Sequence, residues 1–232
     1  MLRFFITSTG TGIGKTLATT SLCWQLRESG HKVTALKPVI SGYDAGDLTN
    51  DSAQILLSCG IEPTIQEQER ISAWRYRAPL APNMATKREG NPIDLDALVA
   101  FCNAPSSADI LLVEGVGGIM VPLNDRYTVL DWMLALDWPV IITAGTYLGS
   151  ISHTLTTIET LKMKGLSIRG IILSESADSG VSPDETASTL EKFLPAEIPV
   201  VKIPRLDTTG SIWKKTPPIS WLCHSPKNNP KN

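Results

Sequence analysis

The chain has no excess of either charge: 21 Lys and Arg stand against 23 Asp and Glu over 232 residues, a formal net charge of −2. A balance so close to neutral carries no electrostatic footprint for nucleic acid or for an anionic membrane. No apolar run approaches the roughly 20 residues of a membrane span. The opening MLRFFITST lacks the charged and then apolar regions of a secretory leader, and it reads as a first strand. Cysteine is scarce. Cys23, Cys59, Cys102 and Cys223 are the whole set, and no two stand at zinc-ligand or CxxC spacing. Cys23 and Cys59 fall in apolar helical stretches, where a reduced thiol packs as a small hydrophobe. A reducing compartment, hence the cytoplasm, is the expectation. There is no internal repeat and no sharp domain boundary.

What is there is an ordinary globular composition, 42% hydrophobic and 19% charged, in a chain long enough to bury a core without disulfides. Continuous apolar runs predict strands over residues 2–7, 33–36, 110–113, 140–143, 168–173 and 199–203. Helical spacing is predicted over residues 17–27, from Asn50 as N-cap to Cys59, and over 129–136, 151–164 and 184–194. Continuous apolar strands alternating with helices indicate a doubly wound α/β architecture, a mainly parallel sheet with helices on both faces. Ligands of such folds gather at the carboxyl ends of the strands. Residues 62–92 are polar and Pro-bearing and read as a long loop with a little helix. Residues 1–206 read as one domain and 207–232 as a divergent tail. Its last residues, PKNNPKN, are expected to be disordered, whereas Trp213 and Trp221 are large enough to need packing partners.

The strongest local signal is Thr7-Ser8-Thr9-Gly10-Thr11-Gly12-Ile13-Gly14-Lys15-Thr16, between a predicted strand and a predicted helix. Gly12, Ile13 and Gly14 let the backbone curl so that successive N–H groups face phosphate oxygens, and the helix that continues through Leu17 adds a favourable dipole. Lys15 supplies a compact cation for the outer phosphates, and the Thr16 hydroxyl suits Mg²⁺, which prefers oxygen ligands. The context is that of a P-loop nucleoside triphosphate hydrolase-like fold, although Thr9 occupies the first Gly position of GxxxxGK[ST]. Partition-type ATPases of the related dimeric class carry a second lysine five residues earlier; here that position is Gly10.

Three further residues suggest chemistry at strand and helix ends. Glu114 ends an apolar strand, where an unpaired charge is costly unless a metal resolves it; the bland alternative is an exposed Glu at a turn. Gly115, Val116 and Gly117 leave room for nucleotide phosphate or substrate against the backbone. Asp51 opens a helix, where the dipole alone accounts for an acid, and metal ligation is the second reading. Lys37, held extended by Pro38, points from a strand end toward the ligand crevice. It suits developing phosphoryl charge or an anionic carbamate, or it is a surface lysine.

Four motifs in order then resemble the dethiobiotin synthetase family over residues 1–206. They are the Thr7–Thr16 loop, Lys37-Pro38-Val39-Ile40-Ser41-Gly42, Val113-Glu114-Gly115-Val116-Gly117-Gly118 followed by Pro122-Leu123 and Asp131-Trp132, and the stretch from Pro139 to His153. The resemblance implies an ATP- and Mg²⁺-dependent cyclo-ligase that closes a ureido ring from 7,8-diaminononanoate and CO₂ (or bicarbonate) through a carbamate and a carbamic–phosphoric anhydride. It implies Thr16, Asp51 and Glu114 as metal ligands, and Lys15 and Lys37 as catalytic cations, Lys37 also beside the substrate. It implies Ser41 as a substrate contact. In a homodimer, Ser150, Ile151 and Ser152, at a helix start, would receive the substrate carboxylate. On the nucleotide side it implies Ser174, Glu175, Pro204, Arg205 and Leu206. Ser174-Glu175 stand where the family often has Asn-Asp, whose Asn reads adenine. Ser8 replaces a usual Gly, Tyr147 a frequent Lys and Asn83 a usual His. The rival readings are an amidating ligase of cobalamin synthesis, which would carry a further glutamine-hydrolysing domain, and a switch or partition ATPase without ligase activity.

Overall fold

The computed structural model describes residues 1–177, 179–207 and 209–224; the stretch PKNNPKN lies outside the described residues. In chain order the elements are β1 (Leu2–Ser8), α1 (Lys15–Glu28), β2 (Val33–Leu36), β3 (Val39–Ser41), α2 (Asp51–Ser58), α3 (Ile65–Ile71), β4 (Trp74–Tyr76), α4 (Pro82–Glu89), α5 (Leu95–Cys102), β5 (Ile110–Glu114), α6 (Val129–Leu136), β6 (Val140–Gly145), α7 (Ser150–Met163), β7 (Ile168–Ser174), α8 (Pro183–Glu191) and β8 (Val200–Ile203), then two 3₁₀ turns, Ile212–Lys215 and Ser220–Cys223. No helix among the described residues is long and apolar enough to cross a membrane.

Six strands form one parallel sheet in the order β2-β5-β1-β6-β7-β8. The central strands β5 and β6 are buried at every position, which is why they read as unbroken apolar runs: helices cover both faces. Alternate side chains enter opposite layers. Phe5, Leu111, Val113 and Ile142 pack with Trp132 on one face, where the Phe5 and Trp132 rings meet edge-on at 4.8 Å. Phe4, Ile6, Leu112 and Ile141 pack with Leu22, Leu26 and Ile55 of α1 and α2 on the other. The register then fixes what stands beside the first loop. Ile6 pairs with Glu114 and Ser8 with Thr143, so the ends of β5 and β6 flank the end of β1.

Residues 62–92 hold helix, as expected, in α3 and α4, and in place of further loop a short strand, β4. Thr64 caps α3 by accepting from the Glu67 N–H at 3.2 Å. β4 pairs with β3 in a separate two-stranded sheet, Val39 against Trp74 and Ser41 against Tyr76. Tyr76 is wholly buried and donates to the Asn91 carbonyl at 2.7 Å. A three-residue strand offers too short a period to read, and its partner is distant in sequence, so the pairing is tertiary. α5, capped by Asp94, is a further element that the sequence reading did not contain.

The C-terminal segment packs on α1. Trp213, Ile219, Leu222 and Cys223 are buried. Gln25 reaches out of α1 to hold the chain: its Nε2 donates to Thr216 Oγ1 (3.2 Å) and the Pro217 carbonyl (2.9 Å), and its Oε1 accepts from the N–H groups of Ile219 (2.8 Å) and Ser220 (3.0 Å). Trp221, half-buried, packs against the same layer. Gln25→Ala removes these partners together and is expected to cost about 1–3 kcal/mol, read by denaturant unfolding, with faster proteolysis of the C-terminal segment.

Candidate active site

The loop after β1 curls under the start of α1. Gly14 takes the N-cap position of α1 at φ 88°, a left-handed conformation that glycine adopts without strain. A Cβ at Gly14 would also lie 2.9 Å from Ser174 Oγ. Gly118 comes against the same loop from the other side; a Cβ there would meet the backbone of Ser8, Thr9 and Gly10 at 3.4 Å. The two glycine-bearing turns therefore lie against each other, and at Gly14 a side chain would be both strained and crowded.

Lys15 is buried and lies back along the loop, donating to Ser8 Oγ at 3.0 Å and to the Gly10 carbonyl at 3.3 Å. Burial, and then repulsion from Lys37, bring its ammonium down to about 8, against the pull of Glu114 and Asp51. A phosphate anion would reverse that shift and hold the proton. Ser8 is a site residue that the motif did not reveal, because its hydroxyl acts only once the loop is folded.

The charges meet at the mouth of this loop. Glu114 is 0% exposed at the end of β5. Its Oε1 accepts from Lys37 Nζ at 2.7 Å and from Thr16 Oγ1 at 3.0 Å, while Oε2 is buried without a hydrogen-bond partner. Thr16 Oγ1 also lies 2.7 Å from Asp51 Oδ1, and Asp51 Oδ2 lies 3.2 Å from Lys37 Nζ. Lys37 completes its coordination on the Gly115 carbonyl at 2.8 Å. Burial pushes the Lys37 ammonium down, but Glu114 and Asp51 outweigh it and hold it above its usual value. Burial raises Asp51, and Lys37 and the Thr16 hydroxyl outweigh that and bring it below the usual carboxylate range.

Thr16, Lys37, Ser41 and Asp51 line a cavity of about 300 Å³ with residues 11–15, Val116 and Gly117. The structure thus brings together Gly12, Ile13, Gly14, Lys15, Thr16, Lys37, Ser41, Asp51, Glu114, Gly115, Val116 and Gly117. Leu17 is half-buried in the first turn of α1 and packs toward the core. The residues expected on the nucleotide side form a second cluster at the ends of β7 and β8. Ser174 pairs with Ile203 in the register, and Glu175 Oε2 accepts from the Arg205 N–H at 2.7 Å, with Pro204 and Leu206 on either side. It comes close to the first cluster where a Cβ added at Gly14 would meet Ser174. Ser150, Ile151 and Ser152 stand apart at the start of α7, after Gly149 at φ 95°. Their helix borders a second cavity of about 450 Å³, where His153, Thr156 and Thr157 face Thr9, Thr11 and Met120. No spacing rule finds this groove, whose walls come from three separate segments.

The oxygen donors fit a hard divalent cation. Two carboxylates and a hydroxyl converge, one carboxylate oxygen is buried and unpartnered, and Mg²⁺ retains waters for the rest of its shell. Gly14→Ala is expected to abolish nucleotide binding and to cost more than about 1 kcal/mol, because the added methyl meets both a left-handed backbone and Ser174; calorimetric titration with ATP and thermal unfolding measure the two effects.

A family model described as an AAA domain matches residues 3–211. ATP-dependent dethiobiotin synthetase from Methylobacterium nodulans is 40% identical over 200 residues, 83% of this chain and 89% of that protein. The enzyme of the same name from Acidiphilium cryptum is 40% identical over 207 residues, 88% of this chain and 93% of that protein. Among solved structures, a ParA family ATPase from Chlorobium tepidum has a TM-score of 0.55 at 18% identity, over 96% of this chain and 98% of that one. The septum site-determining protein MinD from Pyrococcus horikoshii, complexed with Mg-ADP, has a TM-score of 0.54 at 18% identity, over 88% of this chain and 81% of that one. Those two likenesses show the fold. The identity to the synthetases, spread over most of both chains, shows the family: the chain belongs to the ATP-dependent dethiobiotin synthetases.

Proposed function

We propose that this ATP-dependent ligase closes the ureido ring of dethiobiotin from 7,8-diaminononanoate and CO₂, releasing ADP and phosphate. The observation that carries the reading is the second buried cation. Lys37 stands with Thr16, Asp51 and Glu114 at the mouth of the phosphate loop, on the wall of the same cavity as Ser41. A phosphate loop alone needs Lys15; an additional ammonium at the outer phosphate suits a reaction in which a second anion, a carbamate, must approach it.

In this reading one amine of the diamine takes up CO₂ and gives a carbamate, whose charge Lys37 holds. A carbamate oxygen attacks the γ-phosphorus and ADP leaves, with Lys15 and Lys37 balancing charge on the transferring group. The second amine attacks the carbamoyl carbon, phosphate leaves and the ring closes. No protein nucleophile is required; positioning and charge neutralisation suffice. Thr16, Asp51 and Glu114 would hold Mg²⁺, which when bound supplies further neutralisation of the phosphate oxygens. Ser41 contacts the diamine. The free N–H groups of Ser150, Ile151 and Ser152 take the far carboxylate across a homodimer interface. Ser174, Glu175, Pro204, Arg205 and Leu206 line the nucleotide base. Residues 1–206 are the catalytic domain, working in the cytoplasm.

The switch ATPase is the second reading, favoured by the likeness to ParA and MinD folds. Gly10 at the position of their class's second lysine weighs against it. Phosphate release with Mg·ATP and bicarbonate, followed with and without 7,8-diaminononanoate, separates the two. Diamine-dependent release matched by dethiobiotin in mass spectra is expected; hydrolysis indifferent to the diamine would return the chain to the switch class. Glu114→Ala should weaken Mg·ATP at least about tenfold more than metal-free ATP, a difference of about 1.4 kcal/mol, and equal weakening would remove Glu114 from the metal.

A further inference from the structure

Ser8 is the last residue of β1 and Lys15 the first of α1, so the two stand at the ends of the phosphate loop. Pairing of β1 with β5 and β6 fixes the strand, with Ser8 opposite Thr143. Ser8 is 0% exposed. A hydroxyl so placed costs free energy unless its hydrogen bonds are made. Its Oγ accepts from Lys15 Nζ at 3.0 Å. Its one proton faces two carbonyls, that of Gly10 in the same loop and that of Gly117 at 3.1 Å, in the turn after β5. The hydroxyl therefore bridges the ammonium to a segment 109 residues after Ser8 in the chain.

An ammonium has three N–H donors and no acceptor. Lys15 places one on Ser8 Oγ and one on the Gly10 carbonyl at 3.3 Å. Asp51 and Glu114 pair with Lys37 instead. Lys15 lines the cavity of about 300 Å³ together with Thr16, Lys37 and Asp51, and its third N–H is left for whatever enters there. Without the Ser8 oxygen a single anchor would remain, the Gly10 carbonyl, about which the flexible four-carbon side chain can swing.

We propose that Ser8 is a positioning residue for Lys15: with the Gly10 carbonyl it takes up two of the three N–H groups and presents the third to an outer phosphate oxygen of the nucleotide. This role rests on the reading above, in which the loop holds the triphosphate of ATP. Ser8 does not line the cavity and acts through the ammonium. An ammonium fixed before the phosphoryl group moves needs no reorientation as charge shifts in the transition state. An ammonium on one anchor still neutralises a bound triphosphate, because Coulomb attraction depends on distance more than on direction. The hydroxyl is therefore felt in turnover more than in ATP binding. Through Gly117, which lines the same cavity, the ammonium is also held in step with the turn after β5.

The test uses the full chain and two substitutions. Ser8→Ala removes the oxygen, and Ser8→Cys keeps a side chain of similar shape whose sulfur is a weak acceptor. Phosphate release from Mg·ATP is followed at saturating and at limiting ATP, with and without 7,8-diaminononanoate, and thermal unfolding is recorded for each variant. Both substitutions should lower kcat at least about tenfold and leave KM for ATP within about threefold, with Tm within about 3 °C of the unsubstituted protein. Unchanged kcat in both variants would overturn the role. So would full kcat in Ser8→Cys beside an impaired Ser8→Ala, since side-chain volume and not the hydroxyl would then matter. A rise in KM at unchanged kcat would assign Ser8 to ATP binding alone, and a loss of kcat that follows a larger fall in Tm would leave it a structural residue; either result removes the positioning role. The ring-closing reading fails separately: if the unsubstituted protein releases phosphate regardless of the diamine, that release still shows whether Ser8 steadies Lys15.

Discussion

A carboxylate at the carboxyl end of a fully covered strand is the constraint on which the rest of the site depends. Glu114 is 0% exposed, and a charge there is tolerable only with cations and donors around it. Lys37 and Thr16 meet that need from two other segments. The consequence reaches back into the fold. β2 must end where Lys37 can reach Glu114, α1 must begin where Thr16 does, and α2 must start with Asp51 at the same point. Three helix and strand ends are tied together by one group of charges, and the unpartnered Glu114 Oε2 leaves a place for a further cation.

The parallel sheet makes this convergence possible. Because β1 lies between β5 and β6, the phosphate loop opens between the carboxylate of one neighbour and the small-residue end of the other. The same layering ties the interior to the site. α1 carries Lys15 and Thr16 at its start and Gln25 further along, and so touches the phosphate loop, Asp51 of α2 and the C-terminal segment.

Much of this was legible in the residues. Six apolar runs became six strands within about two residues at each end, since a strand buried on both faces needs apolar side chains throughout. The phosphate loop was legible because its chemistry demands glycines, a lysine and a hydroxyl in consecutive positions. Lys37 and Glu114 could be placed at strand ends, but their partnership could not, since the ion pair joins residues far apart in the chain. Asp51 read first as a helix-dipole acid; its hydrogen bond with Thr16 and its ion pair with Lys37 join distant segments and could not be read from spacing.

The amino-acid sequence alone determined the alternation of strands and helices, the phosphate loop and the residues able to carry charge. These depend on local periodicity and on side-chain type, which need no neighbour to be recognised. Tertiary structure decided the rest. β3 found β4 across a stretch that looked like loop, and Gln25 fastened the C-terminal segment. Each is a contact between distant segments, and the energy that selects it comes from burial and hydrogen bonds that exist only once the layers have closed.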